Sequence, residues 1–443
     1  MSQLALLGGS PVFSPEEQQK SHETPCFQWP IVNEAMEQSV LNVLRDGSMS
    51  QTGITEEFER GWAAWHGAKH ALAHPNGTAA LHSAMYAVGV GPGTEVICPS
   101  ITYWASAVPA LNLGARVVFA DIEPDTLCLD PASFEAHITP RTRAVVVVHY
   151  LAHPADMEPI LAVARKHGVA VIEDVSHAQG ALYKGKLVGT FGDIAASSLM
   201  SGKSFAIGEG GILNTDSTEL WAKAIRFGHY ERLGKIPAQY RPAPEIGPLP
   251  WGGFKYRLNQ MASAIGLEQL KKYPAEIAEI DRAMKYFVAA IADIPALTNH
   301  YPKFTASTKG GWYAPHMHYA PEVFDGLSVK RFSDALRAEC GKAMPGCNAA
   351  LHRCELFYSV DIYGHGKPTA QVFDPSDPKA ATGELPVAAA ANARTIWIPH
   401  FRKFDRPVID RYAEAFRKVA ANYRELLAGD GDRAAAGRFS FTH

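Results

Sequence analysis

The chain has 443 residues, of which 47% are hydrophobic, and this length suffices for a large core and more than one folding unit. Acidic and basic residues are interleaved and leave a formal net charge of −3, so no basic surface for nucleic acid or an anionic membrane is indicated. No apolar run reaches the roughly 18 residues of a membrane span, and the start of the chain does not resemble an export signal. We therefore expect a cytoplasmic protein whose partners are small molecules.

The six cysteines are scattered too thinly for a disulfide scaffold, and we expect reduced thiols. Cys340, Cys347 and Cys354 recur at a regular spacing, but metal sites use tight cysteine pairs. Pro345 and Gly346 also interrupt any helix that would align the three thiols. No metal site is predicted.

Hydrophobic periodicity predicts the first elements after an N-terminal arm, residues 1–30. A helix is expected over Asn33 to Arg45, ending at the stop signal Asp46-Gly47. Farther along, β-rich runs alternate with helix-like stretches. The β-rich runs are Val96 to Cys98, Val117 to Asp121, Ala144 to His149, Val169 to Ile172, Ile194 to Leu199 and Gly211 to Asn214, and the helix-like stretches include Gly77 to Val88 and Met157 to His167. This alternation predicts parallel strands with helices on both faces.

From about residue 271 the sequence becomes richer in helices. Helices are expected over Glu276 to Ile291, Val329 to Cys340 and Arg406 to Leu427, with a strand over Arg394 to Ile398. The prediction is an α/β fold with a large domain (31–270) around a mostly parallel central sheet, a smaller C-terminal α/β domain (271–428) and a loosely ordered tail (429–443). Such sheets bind ligands beyond the carboxyl ends of their strands.

Two predicted strand ends deliver a carboxylate and an amine. Asp174 ends a buried run, where a carboxylate needs a cationic or hydrogen-bonding partner, such as the protonated ring nitrogen of a cofactor. The alternative for Asp174 is an ordinary helix or turn cap. Lys203 lies among small residues, as a backbone close to a ligand requires, and a desolvated lysine can act as nucleophile and proton shuttle. The alternative for Lys203 is a solvated surface lysine.

Two further motifs occur at predicted strand ends. The turn at Asn76-Gly77-Thr78-Ala79 opens a helix, and the free N–H groups and dipole of a helix N-terminus favour a phosphate group. Its alternative role is an N-cap only. Trp104 follows another strand and offers a ring for stacking on a planar cofactor, although core filling is the commoner role of tryptophan.

Together these motifs resemble the sugar-type (DegT/DnrJ/StrS-like) fold-type I pyridoxal-phosphate aminotransferases over roughly residues 4–425. The family pattern appears in Asn76 to Leu81, with Asn76 at a usual serine position, and then in register in Glu173-Asp174, Gly180, Gly189, Gly192-Asp193, Ser198, Lys203 and Gly208 to Gly211. The opening, Leu4 to Val12, is similar to the cyclitol aminotransferase and aminohydroxybenzoate synthase branches.

The resemblance implies pyridoxal 5′-phosphate as cofactor, with Lys203 as its covalent lysine and Asp174 as the partner of its ring nitrogen. The other implied cofactor contacts are Gly77, Thr78, Ala79, Trp104, His177 and Ser198. Lys255, Arg257 or both, which precede a predicted helix from Gln260 to Tyr273, would reach the cofactor phosphate of a neighbouring subunit. A homodimer with shared active sites follows.

The implied reaction moves an amino group from glutamate or glutamine to a keto-sugar or keto-cyclitol by a ping-pong mechanism, in sugar biosynthesis or secondary metabolism. Two alternatives stay open: a dehydratase or lyase like aminohydroxybenzoate synthase, and a regulator that binds the cofactor without catalysis. The candidate substrate contacts are His352, Arg353, His400, Arg402, Tyr313, Arg226 and His229.

Overall fold

A seven-stranded sheet forms the centre of the fold. The computed structural model describes residues 4–372 and 375–431. Its strands are β1 (His70–His74), β2 (Glu95–Pro99), β3 (Arg116–Ala120), β4 (Thr142–Val148), β5 (Ala170–Asp174), β6 (Leu182–Tyr183), β7 (Lys186–Leu187), β8 (Ile194–Ser198), β9 (Gly211–Thr215), β10 (Leu297–Asn299), β11 (His316–Tyr319), β12 (Met344–Pro345) and β13 (Thr395–Trp397). The central sheet has the order β1-β9-β8-β5-β4-β2-β3, and all neighbouring pairs except those of β9 are parallel. The mostly parallel α/β sheet is confirmed.

Strand β9 is the exception that the regular alternation did not predict. It runs antiparallel to both β8 and β1, with Ser197 of β8 opposite Ile212 of β9. The chain between Ser198 and Gly211 forms a loop and contains no helix. Because a parallel return needs a crossover connection, usually a helix, this shorter loop returns the chain in the opposite direction. The same loop carries Lys203.

Helices cover the sheet and build the rest of the fold. They are α1 (Pro15–Lys20), α2 (Glu34–Arg45), α3 (Gly53–His66), α4 (Gly77–Ala87), α5 (Val108–Asn112), α6 (Pro131–Ala136), α7 (Met157–His167), α8 (Thr218–Gly228), α9 (Gln260–Ala290), α10 (Val329–Cys340), α11 (Pro378–Thr382), α12 (Pro386–Ala390) and α13 (Arg406–Ala421). Helices α7 and α10 have the predicted bounds, and the predicted helix that starts at Arg406 gives way to a 3-10 segment beyond α13. None of the helices in the described part of the chain has the length and apolar character that a bilayer crossing requires.

Helix α9 joins two helices that were predicted separately. It spans 31 residues and contains Pro274 in its interior. Proline removes one backbone hydrogen bond and usually ends a helix, but both sides of Pro274 are held by packing. Tyr273 is fully buried and its hydroxyl donates to the Gln179 carbonyl at 2.8 Å, while Ile280 belongs to the core of the second unit. The proposed domain boundary at residue 270 therefore falls inside a continuous helix.

Hydrophobic contacts cross the proposed domain limits. A small antiparallel sheet, in the order β10-β11-β13-β12, packs with α9, α10 and α13 around a core that also contains Leu4, Phe13 and Cys26 of the arm. In the opposite sense, Cys347 and Phe357 belong to the core around the large sheet. The division at residues 30, 270 and 428 stays a prediction, and residues 432–443 of the tail lie outside the described residues.

Candidate active site

A cavity of about 310 Å³ opens at the carboxyl ends of the parallel strands. Strands β4, β5 and β8 end at its wall, as does the N-terminus of α4. Its lining residues are Asn76, Gly77, Thr78, Leu81, Thr102, Tyr103, Ala105, Val148, Tyr150, Leu151, Asp174, Ser176, His177, Ser198, Met200, Lys203, Glu209, Tyr313, Ala314, His316, Cys347 and Asn348. The two strand-end motifs singled out in the sequence thus share one cavity.

Asp174, the last residue of β5, is 4% exposed. Its Oδ2 accepts a hydrogen bond from the Ser106 hydroxyl at 2.7 Å, and its Oδ1 accepts one from the Ser176 N–H at 3.0 Å. Neither donor is cationic, and no ion pair of Asp174 occurs within residues 4–372 and 375–431. Because a buried carboxylate is costly without a positive partner, this wall of the cavity favours a cationic ligand group.

Lys203 approaches the cavity from the loop between β8 and β9. Its side chain is 7% exposed, and Nζ lies 4.1 Å from the centroid of the Tyr313 ring. The main chain is held on both sides: the Lys203 N–H donates to the Met200 carbonyl at 2.8 Å, and the Lys203 carbonyl accepts from Trp29 Nε1 at 2.9 Å. Among the described residues the amine has no carboxylate partner, so it is available to a ligand in the cavity.

The N-terminus of α4 forms a third wall. The N–H groups of Gly77 and Thr78 have no acceptor within the helix, as at any helix start. Gly77 is required here because a Cβ at this position would lie 2.6 Å from the Cβ of Ser198. This close approach brings the start of α4 and the end of β8 together, so that the hydroxyls of Thr78 and Ser198 belong to one polar corner. Such a corner suits a phosphate group.

The geometry differs from the prediction at Ala79. Its N–H donates to the Asn76 side chain at 2.8 Å, which makes Asn76 the N-cap of α4. The Ala79 amide is therefore occupied and is not a free phosphate donor. An N-cap was the alternative role that the sequence suggested for this turn. In the structure Asn76 caps α4, while the N–H groups of the neighbouring Gly77 and Thr78 face no acceptor within the helix.

His177 and Tyr313 form an aromatic wall beside Lys203. The ring centroids of His177 and Tyr313 are 4.5 Å apart with the rings tilted by 33°, and the Tyr150 ring lies 5.5 Å from His177. Burial holds the pKa of His177 well below its usual value, and the nearby positive charges of Lys203 and His316 lower this pKa further. His177 is therefore neutral, and can act as a hydrogen-bonding group without adding charge to the cavity.

The aromatic residue that faces the cavity after β2 is Tyr103, one position before the predicted Trp104. Tyr103 has extended backbone angles, and a 3-10 turn begins at Trp104. This turn directs the two consecutive side chains differently: Tyr103 lines the cavity, whereas Trp104 is absent from its lining and is 37% exposed. The motif was therefore located correctly, but the residue that it presents to the cavity was not.

Most of the candidate substrate contacts do not line the cavity. His352 Nδ1 pairs with the Ser100 hydroxyl at 2.6 Å, and His400 Nε2 pairs with the Gly311 carbonyl at 3.1 Å. His229 is fully buried beside His74, with ring centroids 4.9 Å apart. Of the original candidates, Tyr313 alone is among the lining residues of this cavity.

The arginines of the original set also lie outside this lining. Arg226 stacks on Trp251, with its Cζ 4.5 Å from the ring centroid, and Arg402 stacks on Trp29 at 4.3 Å. Arg353 is the last residue of the 3-10 turn Leu351–Arg353 and is absent from the lining as well. Arg226 and Arg402 therefore use their side chains in cation–π stacking rather than in the wall of this cavity.

Lys255 and Arg257 do not line the cavity of their own chain. Lys255 is exposed and Arg257 is half-buried, on the segment between a turn at Trp251 and the start of α9. The contact of Lys255, Arg257 or both with the cofactor phosphate of a neighbouring subunit stays a prediction.

Several lining residues were not predicted from the sequence. Tyr150 follows β4, and Asn348 follows β12 in the distant C-terminal segment. His316 also contributes to the wall, and both of its ring nitrogens pair with backbone carbonyls, those of Ala314 at 2.7 Å and Gly346 at 3.0 Å. No local motif marks these residues, because chain segments far apart in sequence bring them together.

Comparisons with known proteins identify the family of this chain. Residues 30–417 match the DegT/DnrJ/EryC1/StrS aminotransferase family. The chain is 32% identical to an L-glutamine:2-deoxy-scyllo-inosose aminotransferase of Streptoalloteichus tenebrarius, over 96% of this chain and 99% of that protein. It is 42% identical to a GDP-perosamine synthase of Caulobacter vibrioides, over 53% of this chain and 61%, less than two thirds, of that protein.

Solved structures lead to the same assignment. The crystal structure of 3-amino-5-hydroxybenzoic acid (AHBA) synthase superimposes with a TM-score of 0.74 and 28% sequence identity, over 90% of this chain and 98% of that chain. Fold, cavity and sequence match agree over nearly the whole length, and the chain belongs to the DegT/DnrJ/EryC1/StrS aminotransferase family.

Proposed function

We propose that this enzyme is a pyridoxal-phosphate-dependent aminotransferase that moves an amino group from L-glutamine or L-glutamate to a keto-cyclitol or keto-sugar. The observation that carries the proposal is the cavity in which Asp174 and Lys203 meet without a counter-ion from the described chain. Family membership and the full-length similarity to L-glutamine:2-deoxy-scyllo-inosose aminotransferases support the reaction and the substrate class.

The lining residues suit this cofactor. Bound pyridoxal phosphate supplies an electron sink for negative charge that develops on a substrate carbon. Asp174 would balance the positive charge of a protonated ring nitrogen, and its hydrogen-bond partners in the described chain supply no cation of their own. Thr78 and Ser198, with the start of α4, would hold the phosphate group. Tyr103 would take the ring-stacking role that was predicted for Trp104.

Lys203 performs the proton transfers. Its amine is the group of the cavity that would hold the cofactor covalently, and a lysine amine in this position can carry a proton at the substrate carbon. The Tyr313 ring beneath Nζ and the hydrogen bond from Trp29 to the Lys203 carbonyl restrict where the amine can lie. Neutral His177 donates or accepts a hydrogen bond near the cofactor ring without competing for the charge of Asp174.

The proposal includes a cytoplasmic homodimer with shared active sites. Lys255 and Arg257 lie outside their own cavity and would supply positive charge to the phosphate corner of the partner. All six cysteines are free, and five of them are buried, as suits a reducing compartment.

An absorbance titration tests the reaction. Purified protein with pyridoxal phosphate is expected to show a band near 410 to 430 nm, roughly, which L-glutamine shifts toward about 330 nm. Lys203→Ala is expected to lack the band, whereas Lys184→Ala, which removes an exposed lysine paired with Glu158, is expected to keep it. A band that no amino donor shifts would favour the dehydratase or the non-catalytic regulator, and no band at all would refute the cofactor assignment.

A further inference from the structure

The turn that follows β4 is strained where it meets the cavity. Leu151 and Ala152 have positive φ angles, 51° and 66°, which residues with a Cβ rarely adopt. The turn is held on one side by His149, whose Nε2 pairs with Glu173 at 2.9 Å and whose Nδ1 accepts the Ala155 N–H at 3.1 Å. Backbone strain of this kind concentrates at functional sites. Here it places Tyr150 and Leu151 on the cavity wall.

Tyr150 holds one residue of the C-terminal segment in a defined orientation. Its hydroxyl donates to Asn348 Oδ1 at 2.5 Å and accepts the Asn348 N–H at 3.0 Å. Asn392 holds the same stretch of backbone, because its Nδ2 donates to the Asn348 carbonyl at 3.0 Å and its Oδ1 accepts the Cys347 N–H at 2.8 Å. The main chain and the side-chain carbonyl of Asn348 are thus both engaged.

The remaining polar group of Asn348 is its Nδ2 amide. Asn348 is half-buried and lines the cavity, and Nδ2 has no hydrogen-bond partner within the described ranges. Because the Tyr150 hydroxyl already donates to the carbonyl oxygen, the two N–H donors of the amide are the unused polar groups that Asn348 offers to a ligand. The neighbouring His316 has both ring nitrogens paired with backbone carbonyls, so it does not compete for this ligand group.

We propose that Asn348 Nδ2 donates a hydrogen bond to a ring hydroxyl of the keto acceptor, with Tyr150 setting the orientation of the amide. The inference rests on the proposed function and adds to it a subsite that recognises a polyhydroxylated cyclic ketone. A neutral N–H donor is matched to a hydroxyl oxygen, whereas the carboxylate of an amino donor is bound more strongly by a cation. The subsite therefore serves the half-reaction of the acceptor rather than that of the donor.

The two half-reactions can be measured separately in single turnovers, with L-glutamine as the donor and scyllo-inosose as the acceptor. Asn348→Leu keeps the volume and removes the donor. We expect it to lower kcat/KM for scyllo-inosose about tenfold more than it lowers kcat/KM for L-glutamine, mostly through KM for scyllo-inosose. Tyr150→Phe is expected to give a smaller loss in the same direction. Tyr183→Phe is the matched control, because this buried hydroxyl donates to Asp156 outside the cavity lining.

Equal losses in both half-reactions, or an unchanged KM for scyllo-inosose in both variants, would overturn the subsite. A wild-type enzyme that takes the amino group from L-glutamine but does not pass it to scyllo-inosose would also contradict recognition of a polyhydroxylated cyclic ketone. By contrast, a wild-type enzyme that does not react with any amino donor would refute the proposed function itself. Melting curves with bound cofactor show whether each variant is folded, and Tyr150→Phe keeps the test valid where Asn348→Leu does not fold.

Discussion

Replacing Glu173 by glutamine tests how the end of β5, which carries Asp174, is held in place. Glu173 is fully buried in β5, directly before Asp174. Its Oε1 accepts the N–H groups of Phe191 and Gly192, each at 2.7 Å, while its Oε2 accepts the Gly189 N–H at 2.7 Å and pairs with His149 Nε2 at 2.9 Å. All four partners donate: His149 accepts the Ala155 N–H through Nδ1, which places its proton on Nε2.

The magnitude follows from this arrangement of donors. A glutamine keeps one oxygen but turns an NH₂ group toward two donors, so two charge-assisted hydrogen bonds are lost at about 1.5 to 3 kcal/mol each. We expect a loss of about 3 to 6 kcal/mol, or about 6 to 12 °C in melting temperature at the ~2 °C per kcal/mol of a large domain. Because β5 also carries Asp174, we expect Glu173→Gln to bind the cofactor less tightly than the wild type as well as to be less stable.

The pH dependence has a defined sign. Burial alone would raise the pKa of Glu173, but the hydrogen bond from His149 Nε2 and those from the N–H groups of Gly192 and Gly189 hold it below the ordinary 4.5. A carboxyl whose pKa is lowered by folding stabilises the native state above its unfolded pKa, and this contribution is lost as the pH falls through the folded pKa. Glu173→Gln is expected to remove that part of the acid dependence.

The assay is thermal unfolding of the wild type, Glu173→Gln and Glu158→Gln at pH values from 7 down to 4. Glu158 pairs with Lys184 at the surface, and its substitution is expected to change stability by less than about 1 kcal/mol. If Glu173→Gln has the same melting temperature as Glu158→Gln, the four hydrogen bonds do not hold the end of β5, and the reasoning fails.

Three further predictions concern the cavity and a buried charge. Gly77→Ala is expected to separate α4 from Ser198 and to raise the cofactor dissociation constant at least about tenfold in an absorbance titration, because a Cβ would lie 2.6 Å from that of Ser198. Gly53→Ala, where a Cβ meets nothing within 4 Å, is the control, and equal affinities would contradict the steric argument. Burial lowers the pKa of Lys309 from 10.5 to about 7, so the unfolded chain binds the extra proton between these values and stability rises with pH there. Lys309→Met is expected to flatten this rise in melts from pH 7 to 9, and an unchanged slope would count against the assignment. Burial holds the pKa of His177 well below 6.5, so His177→Gln is expected to change kcat but not the shape of its pH profile; a lost ionisation near pH 6.5 would show otherwise.

Local sequence determined which elements form and which residues end the central strands. Hydrophobic periodicity predicted the bounds of α10, and a β-rich run predicted β8, because burial of one face repeats with the period of the element itself. The same logic predicted that Asp174 and Lys203 approach one site, since parallel strands end at a common edge, and both residues line one cavity. These inferences need only neighbours along the chain.

The tertiary structure decided everything that depends on contacts between distant segments. The direction of β9, the continuity of α9 through Pro274 and the choice of Tyr103 over Trp104 follow from packing and loop geometry that no local pattern contains. The approach of Tyr150 to Asn348, 198 positions apart, is of the same kind. Hydrogen bonds and close contacts act over a few ångströms in space at any separation in sequence, so the sequence determined the chemistry available to this protein, and only the fold decided which side chains share the cavity.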